Sequence, residues 1–355
     1  MTVDVAMIKK HKACVLVWVL FVCFSPSAET LHILNREGYL SDQVTARFEQ
    51  NTGHRIEQIY YDNEKRRNAL LDRADKYNFD LVLVDHNSAR IFGARGLFSP
   101  LTLEQIPNLD QVPAFRKEQC GQFGAPYFWS TLGILYRADK VQPPPSSWRD
   151  LLVPDDHLKG HVGMLDNSLD TLVPPLAMLQ QPLDSDDNQV LREAFSLLKA
   201  QSSWVLTYEY PRTYIRHDQQ ADRLYMAQGY SSDRAAMNTF SDQEHWRFVL
   251  PDEGTLVRLD CLAIFRHSPH QALATEFLNF LNQPEIAALN AEQTFATPAN
   301  DAALTLLSGQ FGQDSSIFPL VPALQNGQLA PRLDPKNMEI RNRITLAVLK
   351  NHETR

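Results

Sequence analysis

The sequence has few cysteines and no excess of positive charge. Only 4 of its 355 residues are cysteine, too few for a fold built on a disulfide framework. Acidic residues outnumber basic ones, 42 against 34, for a net charge of -8. This balance argues against a nucleic-acid partner, because a phosphate-binding surface needs a basic stripe. It suits a cationic ligand or no particular ligand, on a globular chain of one large or two medium domains.

The common catalytic motifs are also missing. The sequence contains no H-E-x-x-H, no paired C-x-x-C, no G-x-G-x-x-G, no P-loop and no G-x-S-x-G. Asp85–His86 follows a predicted strand, but a lone histidine in such a loop is more often a surface or hydrogen-bonding residue. None of the 11 histidines forms an i, i+4 pair with an acidic third ligand. We therefore expect no enzyme activity, no catalytic residue, no cofactor and no metal site.

The chain has no apolar run long enough to cross a membrane. Near its start, three lysines within the first twelve residues precede the twelve apolar residues Ala13–Phe24, and the small residues of Ser25–Ala28 follow. A membrane-spanning helix needs about 20 apolar residues. The pattern is typical of a secretory signal peptide. We predict a signal peptide of residues 1–28, with an N-terminal membrane anchor as the alternative, and an exported mature protein.

Removal of this segment would leave two cysteines, Cys120 and Cys261, in an exported protein where disulfides can form. Their wide separation in sequence cannot establish a bond between them. A disulfide and two buried free thiols both stay open, and we slightly favour the free thiols.

Strand and helix patterns alternate along the first part of the exported chain. Strands are predicted at Leu31–Leu34, Arg55–Tyr61 and Phe79–Val84, and helices at Leu40–Thr52, Asn63–Lys76 and Ala89–Gly96. This order predicts a doubly wound α/β sheet. After the apolar segment Pro126–Tyr136, the prolines Pro143–Pro145 predict a stiff connection into a second lobe.

The second part of the chain continues the alternation. Further strands are predicted at His161–Leu165, Phe248–Leu250 and Asp260–Phe265, with Arg223–Gly229 as a strand or a helix edge, and helices at Ser147–Leu152, Ser168–Leu179, Asn188–Gln201 and His270–Leu281.

Several short motifs follow one another in a characteristic order. They include Phe79–Val82, Pro126–Trp129, Ser147–Leu151, Pro251–Gly254, Phe277–Leu281 and Ala296–Pro298. In this order they resemble periplasmic solute-binding proteins of the spermidine/putrescine type, and the likeness covers nearly all of the exported chain. It implies a two-lobed α/β fold, with a ligand cleft between lobes joined by a hinge.

The resemblance implies a division of the chain into lobes. Lobe one would take residues 29–136 and 260–305, lobe two residues 137–259, and the C-terminal segment 306–355 would pack on lobe two. The implied function is periplasmic capture of a small ligand, a polyamine or related amine, by a monomer. The implied partner is an inner-membrane ABC permease or a signalling receptor, since one branch of the family resembles a norspermidine/spermidine sensor that regulates a cyclic di-GMP receptor.

The family's binding positions can be carried over one at a time. Asp260 keeps an acid at the return hinge and is the best candidate to hold an ammonium group, while Asp170 stands where the family has Glu. Tyr39 keeps an aromatic ring, and Tyr230 could replace a missing tryptophan. The candidate ligand-binding residues are Arg36, Glu37, Tyr39, Asp85, Asn87, Trp129, Asn167, Asp170, Tyr230, Arg258 and Asp260.

Arg36 and Arg258 depart most from the family pattern, because both stand where the family presents tryptophan to the polyamine. Guanidinium groups repel an ammonium and suit a carboxylate or phosphate. Three interpretations stay open: the ligand carries an anionic group as well as an amine, the arginines pair with Asp85, Glu37 or Asp260 and occlude the pocket, or the register is shifted. An altered cleft would also fit a sensor or an interaction protein that binds an amino acid, an anionic molecule or nothing.

Overall fold

A computed structural model describes residues 28–354, except residues 62, 243 and 310–326. The predicted signal peptide, apart from Ala28, lies outside the described residues. Within the described part of the chain, no helix has the length and apolar character needed to cross a membrane.

The described residues form eleven strands: β1 (Thr30–Asn35), β2 (Arg55–Tyr60), β3 (Leu81–Asp85), β4 (Ala125–Arg137), β5 (Val162–Gly163), β6 (Val205–Thr207), β7 (Met226–Tyr230), β8 (Trp246–Val249), β9 (Thr255–Ile264), β10 (Thr297–Pro298) and β11 (Gly327–Leu329). They also form thirteen α-helices: α1 (Asp42–Thr52), α2 (Glu64–Leu71), α3 (His86–Ala94), α4 (Ala114–Cys120), α5 (Trp148–Leu152), α6 (Val173–Met178), α7 (Asn188–Gln201), α8 (Pro211–His217), α9 (Asp233–Ser241), α10 (Gln271–Leu281), α11 (Pro284–Thr294), α12 (Asp301–Leu304) and α13 (Pro335–Glu353). Short 3₁₀ turns lie at Ala74–Lys76, Pro107–Gln111, Gly121–Phe123, Asp156–Leu158, Asp170–Leu172 and Ala221–Arg223.

The strands follow the order β2-β1-β3-β9-β4-β7-β5-β6. In what we call the first sheet half, β1 pairs in parallel with β2 and β3, and β9 runs antiparallel to β3. Leu81 and Leu83 face one apolar cluster, while Val82 and Val84 face another on the opposite side. The run of apolar residues in β3 is thus buried on both faces, as a strand covered by helices on both sides requires.

Two long strands connect the first sheet half to a second one. β4 pairs with β9 through Thr131, opposite Val257, and from Leu132 onward it pairs with β7 instead. The second sheet half contains this end of β4 together with β5, β6, β7 and β8. β4 therefore belongs to both parts of the sheet, and the start of β9 contributes Leu256 to the core of the second part.

The second sheet half is built around α5 and α7. Ser147 caps α5 in a reciprocal capping box with Asp150, and Trp148, fully buried, donates from Nε1 to the carbonyl of Gly254 at 2.9 Å. The amphipathic pattern of α7 buries Leu191 and Leu198 in the same core. α5 is thereby tied to the turn that leads into β9.

The C-terminal segment returns to both parts of the sheet. β11 pairs in parallel with the start of β9, with Gly327 opposite Thr255. Helix α13 then packs against α7 and adds Val348 to the core of the second sheet half. β11 therefore adds a strand along the start of β9.

A disulfide joins Cys120, the last residue of α4, to Cys261 in β9, with Cα atoms 6.1 Å apart. The preference for two free thiols is therefore wrong. The residues are 141 positions apart, and α4 packs on β9 only in the folded protein, so spacing in the sequence could not show the bond. Closing a loop of this length stabilises the fold by about 4–5 kcal/mol in the chain-entropy account.

Most predicted elements are confirmed, and the differences have local causes. The predicted helix Asn63–Lys76 ends at Leu71 and continues only as a 3₁₀ turn. The strand predicted from Asp260 starts five residues earlier, at Thr255. Arg258 interrupts its apolar pattern with a charge that the fold buries and pairs, so the sequence shows only the apolar end of β9.

Candidate ligand-binding cleft

A cavity of about 350 Å³ lies between the two sheet halves. Its aromatic wall consists mainly of Tyr39, Tyr61, Tyr208, Tyr210, Tyr230 and Phe240. The volume falls within the range of about 300–1,000 Å³ usual for small-molecule sites. Aromatic faces lining such a space suit a ligand with apolar and cationic parts.

Seven of the predicted site residues line this cavity: Arg36, Glu37, Tyr39, Asn167, Asp170, Tyr230 and Arg258. Asp85 and Asp260 lie behind Arg258, outside the lining. They face each other across the β3–β9 pair, where Asp85 is directly opposite Asp260. Asn87 and Trp129 lie elsewhere.

Arg258 is the centre of the charged part of the site. It lies on β9, its side chain is 6% exposed, and it forms an ion pair with Glu64 at the start of α2. Its Nη1 lies 3.7 Å from Asp170 Oδ2, its Nε lies 3.5 Å from Asp260 Oδ1, and its Nη2 lies 4.0 Å from Asp85 Oδ2. Four carboxylates from both sheet halves thus converge on one buried guanidinium, which offsets the cost of burying the charge.

Tyr230, at the end of β7, joins this cluster. Its hydroxyl donates to Asp170 Oδ2 at 2.7 Å and accepts from Arg258 Nη1 at 3.2 Å. Asn167 Nδ2 donates to the same oxygen of Asp170 at 2.5 Å. The other oxygen, Oδ1, is buried and accepts no hydrogen bond from any described residue. Asp170 therefore has one saturated and one open acceptor.

Burial changes how readily these acids ionise. It raises the pKa of Asp170 above its ordinary value, although Arg258 and the bond from Tyr230 act in the opposite direction. Burial likewise raises the pKa of Asp260, against the pull of Arg258 and Arg36. Both carboxyls are therefore more easily protonated than an exposed aspartate, and a cation placed beside either would favour its charged form.

Asp85 behaves differently because it is part of the helix start. It caps α3, where its carboxylate accepts from Ser88 N at 3.0 Å and from Ser88 Oγ at 2.6 Å, and Arg67 Nη1 lies 3.1 Å away. Burial opposes its ionisation, but Arg67, Arg258 and the Ser88 bonds hold its pKa far below the usual range. Asp85 is a structural anion rather than an open ligand.

Arg36 occupies a contrasting position after β1. Its guanidinium carbon lies 5.7 Å from the ring centroids of both Tyr39 and Tyr61. No carboxylate of a described residue lies within ion-pair distance of it, and its buried Nε has no hydrogen-bond partner in the described structure. The prediction that Arg258 could pair with Asp85 or Asp260 matches the distances above, whereas Arg36 has aromatic neighbours instead.

Two further arginines reach the cavity from α8 in the second sheet half. Arg216 Nη1 lies 2.6 Å from Glu37 Oε1, and both side chains are about half exposed. Arg212 lies 6.0 Å from the Tyr39 ring centroid and 5.6 Å from that of Phe240. Gly38, at φ 72°, leaves the space that the Arg212 guanidinium fills, since a Cβ there would collide with it. These contacts join the two sides of the cavity.

The sequence did not point to Glu64, Tyr61 or Arg212. Glu64 reads as an ordinary acid in the first turn of a helix, and Arg212 as an exposed charge on a short one. No motif marks either of them. Only the pairing of β1 with β2 and the crossing of β4 and β9 bring these residues to the cavity.

Asn87 and Trp129 have partners away from the cavity. Asn87 Nδ2 donates to the carbonyl oxygens of Ala330 and Pro331 at 3.1 and 3.2 Å, which fixes the segment after β11. Trp129 pairs with β10 in the sheet and packs at the edge of the first half's core, with the Arg116 guanidinium 5.7 Å from its ring centroid. Neither side chain lines the cleft.

Comparison with known proteins identifies the family of this chain. A model of the family "bacterial extracellular solute-binding protein" matches residues 43–319. A norspermidine sensor of Vibrio cholerae is 33% identical over 334 residues, covering 94% of this chain and 92% of that protein. A putrescine-binding periplasmic protein of Escherichia coli is 27% identical, covering 89% of this chain and 90% of that protein.

The fold has solved counterparts. The spermidine/putrescine ABC transporter substrate-binding protein of Streptococcus pneumoniae superposes with a TM-score of 0.77 at 22% identity, covering 92% of this chain and 100% of that chain. The predicted two-lobed binding-protein fold is thereby confirmed. With a family match over most of its length, the chain belongs to the bacterial extracellular solute-binding proteins.

Proposed function

We propose that this protein captures a small amine-bearing solute of the polyamine type in the cleft between its sheet halves, in the periplasm. The open acceptor of Asp170 in a tyrosine-lined cavity carries the proposal, because an ammonium group needs a buried carboxylate and gains from aromatic faces. The names of the relatives, a norspermidine sensor and a putrescine-binding protein, point to the same ligand class. Capture involves no chemical change of the solute.

Within the cleft, the ammonium group would approach Asp170 Oδ1 beside the ring of Tyr230. Asn167 and Tyr230 hold the carboxylate in place from its other oxygen. Arg258 already neutralises part of the acidic cluster, so the amine binds next to this guanidinium and not in its place. Binding of the ammonium group beside Arg258 explains how an amine site can persist although this basic residue stands at the return hinge.

We also propose that the two lobes are divided inside the crossing strands. The expected boundaries lie near residues 136 and 259, and the change of pairing partner within β4, between Thr131 and Leu132, supports a nearby hinge. The C-terminal segment would stay with lobe two, as the packing of α13 on α7 favours. Bending of β4 and β9 would open and close the cleft.

Contacts across the cleft would report ligand capture to a partner. Glu37 with Arg216, and Tyr39 with Arg212, connect the two sides near the cavity mouth. A ligand that binds both sides would favour the closed arrangement. We propose that a monomer in this form is recognised by an inner-membrane ABC permease or by a signalling receptor.

A thermal-shift series tests amine capture. Norspermidine, spermidine, putrescine and cadaverine are added to the purified protein, with sodium chloride at matched ionic strength as the control. At least one amine should raise the melting temperature in a saturable way, as mass action requires. Asp170→Asn should abolish this rise, because it removes the charge that holds the ammonium group. Equal small shifts from all amines and from salt would argue against a specific site.

A sensor is the second candidate, and the 33% identity to a norspermidine sensor over almost the whole chain favours it. Deletion of the gene separates the two roles. A sensor predicts changed cyclic di-GMP levels with unchanged uptake of labelled amine, whereas an importer component predicts reduced uptake. Changed uptake without an effect on cyclic di-GMP would contradict the sensor.

A further inference from the structure

The carboxylates that line the cavity are unevenly available. Glu64 and Asp170 both face Arg258, and Glu37 pairs with Arg216. The exposed Asp166 and Glu209 line the cavity as well. Of these five acids, Asp170 has a buried carboxylate oxygen with no hydrogen-bond partner in the described structure. Asp170 therefore offers a buried position for a positive group.

The arginines that line the cavity also differ in how many carboxylates surround them. Arg258 is surrounded by four carboxylates, whereas Arg36 lacks an ion pair within the described residues. Asp260, Asp233 and Glu64 act on Arg36 from beyond ion-pair distance, and Arg258 repels it. The Arg36 side chain is half-buried, and the tyrosine faces give part of the compensation that its charge needs. Its buried Nε, like that of Arg258, has no hydrogen-bond partner in the described structure.

Arg212 strengthens this positive region. Its guanidinium lies near the Tyr39 ring, as that of Arg36 does, and its one hydrogen bond, from Nη2 to Gly38 O, is long at 3.5 Å. It too lacks an ion pair with any carboxylate of the described structure, so two arginines with spare donors border the same tyrosine. Guanidinium groups in this state are suited to a carboxylate, which they bind through paired hydrogen bonds.

We propose that the solute is a zwitterion of the amino-acid class, with its carboxylate at Arg36 and Arg212 and an ammonium group at Asp170. The inference rests on the proposed function, since it assumes that the cleft captures an amine. It adds that the captured amine also carries a carboxylate group. A plain diamine leaves Arg36 without a counter-ion. It also brings a second positive group, an ammonium, into the cavity that contains the Arg36 guanidinium.

Matched ligand pairs test the proposal directly. L-ornithine and L-lysine differ from putrescine and cadaverine only by a carboxylate on the same carbon chain. Isothermal titration of the purified protein should give at least tenfold tighter binding for the amino acid of each pair, as expected for a charged hydrogen-bonded contact. Phosphoethanolamine, which carries a phosphate and an amine, should bind more weakly than either amino acid.

Variants locate the carboxylate contact. Arg36→Gln should weaken the binding of the amino acids by about 10- to 100-fold. It should leave the affinity for the diamines unchanged or slightly higher. Asp170→Asn should weaken the binding of both the amino acid and the diamine of each pair. Arg192→Gln, on the exposed face of α7, is the matched control and should change neither. Melting curves without ligand show whether each variant is folded.

The outcomes separate this inference from the function on which it rests. Diamines that bind more tightly than their amino acids would overturn the inference and leave amine capture standing. Tighter binding of phosphoethanolamine would overturn the choice of a carboxylate. Amino acids whose affinity does not respond to Arg36→Gln would overturn the assigned contact. If neither ligand series nor norspermidine binds, the proposed function fails as well.

Discussion

Arg258 and Arg36 are guanidinium groups on the same cavity, and their surroundings differ sharply. Arg258 has Glu64, Asp85, Asp170 and Asp260 within 4.0 Å, whereas Arg36 lies between the rings of Tyr39 and Tyr61. A buried charge is stable when the protein itself supplies its partners. The comparison distinguishes an arginine whose partners belong to the protein from one for which we propose a ligand as partner.

Removing the internal arginine should have the largest effect on stability. Arg258→Met leaves buried carboxylates without their shared cation, and we expect a loss of about 3–5 kcal/mol in the free energy of unfolding. Urea unfolding followed by circular dichroism measures it. Arg216→Met is the control: its pair with Glu37 is half exposed, so its loss should be below about 1 kcal/mol. Equal losses would contradict the structural role given to Arg258.

The same variant should gain affinity for a plain amine. In Arg258→Met, the carboxylates of Glu64, Asp170 and Asp260 become available to an ammonium group. We expect spermidine to bind about 10- to 100-fold more tightly than it binds the unmodified protein, from one or two new charged contacts. Titration calorimetry at constant salt gives the ratio. An unchanged or weaker affinity would mean that these acids do not face the ligand.

Acidification should weaken amine binding through Asp170. Burial raises the pKa of this carboxyl, so it takes up a proton at a higher pH than an exposed aspartate and loses the charge that holds an ammonium group. Affinity is full above the raised pKa and falls as the pH drops through it, by up to about tenfold per pH unit. Titrations between neutral and mildly acidic pH measure this slope. The slope should be absent in Asp170→Asn, and its persistence there would assign the proton to another group.

Removing Arg36 should have the smallest effect on the free protein. Arg36→Gln loses two cation–π contacts, with Tyr39 and Tyr61, and also relieves repulsion from Arg258. The opposing terms should leave the free energy of unfolding within about 1 kcal/mol of its starting value. Urea unfolding beside Arg258→Met makes the comparison. A loss as large as that of Arg258→Met would show that Arg36 is also an internal structural charge.

The fold could be predicted largely because its signals are local. The helical spacing of apolar residues predicts α7 at Asn188–Gln201, the bounds observed, and the apolar run from Phe79 predicts β3. The disulfide between Cys120 and Cys261 could not be predicted, since it depends on the packing of α4 on β9. Information about contacts between distant elements is absent from local periodicity.

The site was only partly predictable for a related reason. Resemblance to a family indicated Asp170, Tyr230 and Arg258, which the structure brings together. It could not indicate Glu64, because the resemblance points only to positions where the family itself has a binding residue. Glu64, the ion-pair partner of Arg258, lies on α2 and reaches it only in the folded chain.

The most direct test of amine capture in this cleft is one calorimetric titration of the protein with norspermidine, repeated with Asp170→Asn. Amine capture at Asp170 predicts saturable binding at one site per molecule and its loss in the variant. Binding of the same strength in both proteins, or no binding heat in either, would contradict it.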